Sequence, residues 1–305
     1  MDMTEPVFWI IGTYLAVGIV LLLATLRPNA HENVVLRLQT SVGVDLPHGI
    51  GEQLRRRFAL NRRSQLVGGM VGVVLSAAII GWTVPDPDAV HGMMIAAGAF
   101  AGPALAVSIT TLLTSGKPED DRPRYARAHA VGLGDYIPTL ERWLARGPVL
   151  LAVLCFVGWA FAIGMDLHPA RNVALLASGG GLALLSAASL FVFEYFGRRI
   201  VSMGNWATSP EELVWEDALR SHTVRDIASA PSLVGLYAIL VGLAPTFDPS
   251  AESRFFGWAG LAAVGVLLLL LLVTVILRPE RHFLRRLWPE LAATTGKPYG
   301  AEAEV

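Results

Sequence analysis

The stretch RRRFALNRRSQLVGGMVGVVLSAAIIGWTVPDPD, residues 55–88, decides the fold. It opens with five arginines in nine residues, runs from Gln65 to Val84 without a charge, and ends on Asp86 and Asp88 between prolines. Crossing the hydrocarbon core of a bilayer takes about 20 apolar residues. Cytoplasmic flanks carry the excess of Lys and Arg. A basic start, an apolar run and an acidic turn therefore read as one helix crossing outward.

Working outward, the same pattern recurs. Seven segments qualify as spans: Val7–Leu26, Gln65–Val84, Gly92–Leu113, Pro148–Met165, Val173–Phe193, Pro231–Phe247 and Phe255–Leu277. The sixth is short and bracketed by Pro231 and Pro245. The connections 27–64, 114–147 and 194–230, with the tail 278–305, hold 22 of the 24 basic residues; only Arg171 and Arg254 fall on the other side. The expected fold is all-α: a single polytopic integral membrane domain over residues 1–305, N-terminus outside and C-terminus cytoplasmic. The N-tail has Asp2 and Glu5 and no basic residue, so the first run reads as a retained helix rather than a signal peptide.

Composition agrees. The 305-residue chain is 53% hydrophobic and 16% charged, against roughly a quarter charged in soluble proteins. Its mean hydropathy is +0.52. Net charge is -1, which gives no bulk basic signal for nucleic acid. Cys155 is the single cysteine, so no intramolecular disulfide or cysteine zinc site forms within the chain. No cofactor is implied: there is no phosphate-binding glycine loop, no G-x-S-x-G and no nucleotide-binding βαβ pattern. The two lysines, Lys117 and Lys297, lie outside the spans, which removes a retinal Schiff base. Nor does any Asp, Glu, Lys, Arg or His lie deep in a span, which argues against proton relays and ion paths.

Small residues mark the expected helix contacts. Gly68 and Gly72 are four apart, as are Gly98 and Gly102, and Gly179, Ala183 and Ala187 form a third stripe. Transmembrane helices pack through such faces. Pro103 sits within the third span and is expected to kink it. At the fifth span's inner end, Glu194 and Arg198 have ion-pair spacing.

The inner connections carry the polar chemistry. His48, His129 and His222 each lie near an aspartate, a pattern that suggests a metal, but the spacing differs in all three and favours coincidence. His31-Glu32 lacks the second histidine of a zinc-protease motif. Ser209-Pro210-Glu211-Glu212 is a helix start, with a serine cap, proline in the first turn and glutamate three residues after the cap. That helix is expected to run to Ala230 and to turn Trp215 and Leu219 toward a partner, the headgroup layer or the protein itself. Arg55, Arg56 and Arg57 are expected to meet anionic lipid headgroups.

The stretches Leu133–Glu141 (LGDYIPTLE) and Glu212–Arg220 (ELVWEDALR) resemble segments of uncharacterised polytopic membrane proteins of high-GC Gram-positive bacteria. The resemblance implies a bacterial plasma membrane; that group has no established activity, so it transfers no site residues. The functional expectation is a non-enzymatic scaffold, accessory or regulatory membrane component. A permease for an apolar or amphiphilic molecule is the alternative, and a membrane-interface enzyme comes third.

Overall fold

A computed structural model of the protein describes residues 4–26, 36, 39–40, 42–43, 50–83, 89–114, 131–165, 173–203, 207, 209–243 and 282–294. Among these residues the regular structure is entirely helical, with no strand. In chain order the helices are α1 (Thr4–Ala24), α2 (Ile50–Thr83), α3 (Ala89–Thr114), α4 (Leu133–Tyr136), α5 (Thr139–Gly164), α6 (Val173–Val201), α7 (Pro210–Leu243), α8 (His282–Leu287) and α9 (Pro289–Thr294). Three described stretches are long and apolar enough to cross a membrane: Leu54–Ile80, Ala97–Thr114 and Gly179–Val201. A shorter apolar run, Ile11–Ala24, lies in α1. The seventh expected span, 255–277, lies outside the described residues.

The helices are longer than the spans expected from hydropathy. α2 begins at Ile50 and passes through its arginines into the apolar run without a break. α7 likewise joins the helix that starts at Pro210 to the sixth expected span, and the two form one helix of 34 residues. Pro231, expected at the start of a new element, sits inside it. Its missing amide costs one hydrogen bond within the helix, and tertiary packing holds the helix through that point. Pro231 is buried, and the neighbouring Ser232 hydroxyl donates to the Leu144 carbonyl of α5 at 3.0 Å.

Contacts between helices fix their directions. Gly68 meets Gly102 and Gly72 meets Gly98, so α2 and α3 run antiparallel. A methyl group on any of these four glycines would overlap backbone or side-chain atoms of the facing helix. Two backbones approach this closely only where neither carries a side chain. Gly18 faces Met70 and Thr25 is reached by Arg63, so α1 is antiparallel to α2. Arg146 pairs with Glu194 and Phe156 lies against Gly180, so α5 and α6 are antiparallel. Glu141 meets Arg225, and Pro148 lies against Gly235, so α5 and α7 run parallel. The charged starts of α2 and α5, the end of α6 and the first half of α7 therefore share one end of the bundle.

Burial divides the same way. The largest cluster of buried apolar side chains, including Tyr136, Phe193, Trp215, Val224, Ile227 and Phe283, lies at the charged end. Along the apolar lengths, large side chains point outward instead, among them Val20, Leu75, Ile79, Leu154, Phe161, Leu184 and Phe191. Smaller contacts fill the space between helices there. Ala183, with Ala97, Ala152, Val234 and Ala238, belongs to a cluster of mostly small residues. Gly179 is also buried, Ala187 is half-buried, and Ala188 is exposed.

Gly72→Leu and Ala183→Leu are each expected to lower stability by about 1–3 kcal/mol, the usual range for overpacking. Ala188→Leu, on the exposed face, should change it by less than about 0.5 kcal/mol. Thermal unfolding in mild detergent measures all three, and equal midpoints would mean that these small residues do not hold helices together.

Candidate functional site

Polar chemistry gathers at the charged end, and α7 organises it. The Ser209 hydroxyl accepts from the Glu212 amide at 3.2 Å, which starts the helix as the sequence motif implies. The Glu211 carboxyl is held below the usual carboxylate range by its own backbone amide and then by Ser209. A negative charge here suits the positive end of the helix dipole.

Further along, α7 inserts a carboxylate into the core. Asp217 is fully buried. Its Oδ1 accepts from the Tyr136 hydroxyl at 2.7 Å, and its Oδ2 accepts from the Trp288 indole N–H at 2.9 Å. Ser221, one turn on, donates to the Tyr136 carbonyl at 3.2 Å. His282 contacts the Gly134 carbonyl through Nε2 at 3.0 Å. These bonds strap α4 and the segment from His282 to Trp288 onto α7.

Three groups of ion pairs surround this knot. Arg225 contacts both oxygens of Glu141 at 3.2 Å, joining α7 to α5. Glu194 takes Arg146 through Oε1 and Arg198 through Oε2, so the expected pair within α6 is also a link to α5. Arg220 and Glu216 pair at 2.7 Å within α7, both largely shielded from solvent.

A cleft of about 400 Å³ opens between α1, α2 and α7. Its walls include Leu21, Phe58, Leu66 and Leu219, and its polar side chains include Asn61, Arg62, Gln65, His222 and Asp226. Asp226 Oδ2 accepts from the Gln65 amide at 2.7 Å and lies 3.2 Å from His222 Nδ1. The His222 ring stands edge-on to Phe58 at 5.7 Å. A narrower cavity of about 50 Å³, reaching Arg57, Glu216 and Arg220, shares Asn61, Leu219 and Thr223 with it.

The residues expected to act from the sequence are placed as follows. Arg55, Arg56 and Arg57 are exposed on the first turns of α2. Leu219 is half-buried on the cleft wall. Trp215 is not on a surface; it is 1% exposed within the main core, and this corrects the expectation of a partner- or lipid-facing indole. The reason is that α7 is packed against α3, α5 and α6, and its core also takes in Leu133, Tyr136, Phe283 and Leu284. His222 has a carboxylate neighbour, but no group of three His, Cys, Asp or Glu able to hold a metal occurs among the described residues. His48 and His129 lie outside those residues. Asp217 was not singled out by motif. Its signal was an acid at a core position of the α7 repeat, three residues after Val214 and four before Ser221.

Comparison with known proteins finds no matching family model, no matching curated protein and no matching solved structure.

Tyr136→Phe and Trp288→Phe each remove a donor from a buried carboxylate and should cost about 1.5–3 kcal/mol. Trp215→Ala should cost about 3–5 kcal/mol. Chemical or thermal unfolding of the purified protein measures these losses. An unchanged midpoint for Trp215→Ala would return that side chain to the surface.

Proposed function

We propose that the chain is a protein of a bacterial plasma membrane with about seven transmembrane spans, its N-terminus outside, its C-terminus in the cytoplasm, and a non-enzymatic scaffold, accessory or regulatory role. The observation that carries this reading is the charged end of the bundle. Helices of alternating direction bring their basic ends to one side, and ion pairs and buried hydrogen bonds lock them there. A rigid polar cap on an apolar bundle is suited to presenting a fixed surface at a membrane.

The exposed arginines supply the presenting surface. Arg55, Arg56 and Arg57 stand exposed on successive positions of α2. Basic residues near an inner leaflet attract anionic headgroups by about 1 kcal/mol each, and an acidic protein face meets the same charge. Permeation of an amphiphile is the second reading, and the cleft between α1, α2 and α7 favours it.

Cysteines placed one at a time in a Cys155→Ala background test the orientation. Pro87→Cys, Pro169→Cys and Pro249→Cys should react with an impermeant thiol reagent on whole cells. Ser115→Cys, Ala128→Cys and Pro210→Cys should react only after permeabilisation. External reaction at Pro210→Cys would overturn the arrangement. For the role, changing Arg55, Arg56 and Arg57 together to Gln should release any protein partner from gently solubilised membranes without lowering thermal stability.

A further inference from the structure

The cleft between α1, α2 and α7 sits where α2 changes character. On its N-terminal side are Arg57, Asn61, Arg62 and Arg63; on its C-terminal side are Leu66, Val67 and Val71. The cleft crosses that boundary. Arg62, Gln65, His222 and Asp226 line its polar part, while Leu21, Ala24 and Leu66 line the part next to the apolar surface of α1. That surface is open, with Val17, Val20 and Leu23 all more than half exposed. A site of about 400 Å³ lies within the roughly 300–1,000 Å³ range of small-molecule sites.

The charges in and behind the cleft favour an anion. Asp226 is engaged by Gln65 and His222, so its Oδ2 is turned to those two side chains. Arg62 is exposed, with a hydrogen bond to Gln65 at 3.2 Å. Arg63 reaches the Thr25 carbonyl, on the cleft wall, at 3.4 Å. Its Nε is buried and has no hydrogen-bond partner among the described residues. Arg63 is therefore a fixed positive charge behind the cleft wall rather than a direct ligand.

We propose that this cleft binds one phospholipid with an anionic headgroup, its phosphate at Arg62, with Arg63 adding positive charge behind the Thr25 wall, and an acyl chain along Leu21 and Leu66. Arginine suits a phosphate because its donors form a fixed fork. The apolar half of the site argues for a lipid over a free anion, because a soluble phosphate would leave that wall unused. The leaflet supplying the lipid rests on the orientation proposed above, but binding itself does not, so thiol labelling and lipid binding can fail independently.

The test uses the full chain in mild detergent, observed by native mass spectrometry during titration with phosphatidylglycerol or phosphatidylcholine. One phosphatidylglycerol should be retained at least about tenfold more tightly than phosphatidylcholine. Arg62→Gln with Arg63→Gln should bring the two lipids to within about threefold of each other, whereas Arg55→Gln with Arg56→Gln should preserve most of the preference. Because Arg63 also touches α1, Arg62→Gln alone is measured too, and it should weaken phosphatidylglycerol by several fold while keeping the wild-type unfolding midpoint. Equal retention of both lipids by the wild type, or an undiminished preference in the double variant, would overturn the proposal. Displacement of the bound lipid by millimolar inorganic phosphate would overturn it in favour of a free-anion site.

Discussion

A single helix that must serve two solvents sets the terms for the rest of this structure. α7 has 34 residues, so it is about 50 Å long at 1.5 Å per residue, against a hydrocarbon core of about 30 Å. Its second half is apolar and its first half carries eight ionisable side chains. Both halves are deep in the protein, in contact with α3, α5 and α6. A buried polar helix half is stable only if its charges are matched by neighbours. Asp217, Arg220, Arg225 and Asp226 are each matched, three of them by residues from other helices. The polar sequence of α4, the start of α5 and the segment around Trp288 follows from that demand.

The two ends of the bundle are held by different forces. Between apolar lengths there is no hydrophobic gain from leaving lipid, so contact depends on close approach of backbones. The facing pairs Gly68–Gly102 and Gly72–Gly98 meet that requirement, as does Gly235 against Pro148. Buried hydroxyls at Ser186 and Ser189 donate within their own helix and ask nothing of their neighbours. At the charged end the hydrophobic effect is available, and the large side chains collect there. Tyr136, Phe193 and Trp215 form a core of the kind found in soluble domains.

Much of this was legible in the sequence where a local rule was sufficient. The small-residue spacing located the α2–α3 contact, because a backbone approach needs only missing side chains. The Ser209 start was legible, because a cap is a short-range bond. Other features depended on partners far along the chain. Hydropathy cut α7 at Pro231, since a proline reads as a boundary unless tertiary packing compensates for it. Trp215 looked like a surface residue because the core that takes it in gathers residues from as far apart as 133 and 284. The Asp217 knot combines residues 136, 217 and 288, and no spacing rule connects them. Glu194 was read as paired with Arg198; its second partner, Arg146, belongs to another helix.

The parallel arrangement of α5 and α7 imposes an order on biosynthesis. Glu141 leaves the ribosome 84 residues before Arg225, and Leu144 leaves 88 residues before Ser232. During that interval the only later partner available to α5 is α6, which returns antiparallel and supplies Glu194 to Arg146. The hairpin of α5 and α6, with the earlier α3 beside α6, therefore precedes α7, and Glu141 waits for its partner. Arrival of α7 matches that carboxylate, and only the still later Trp288 completes the shell of Asp217. Assembly proceeds as a relay in which each new segment answers a charge left by an earlier one, so a chain halted before residue 288 would carry an incompletely bonded acid inside the charged end of the bundle.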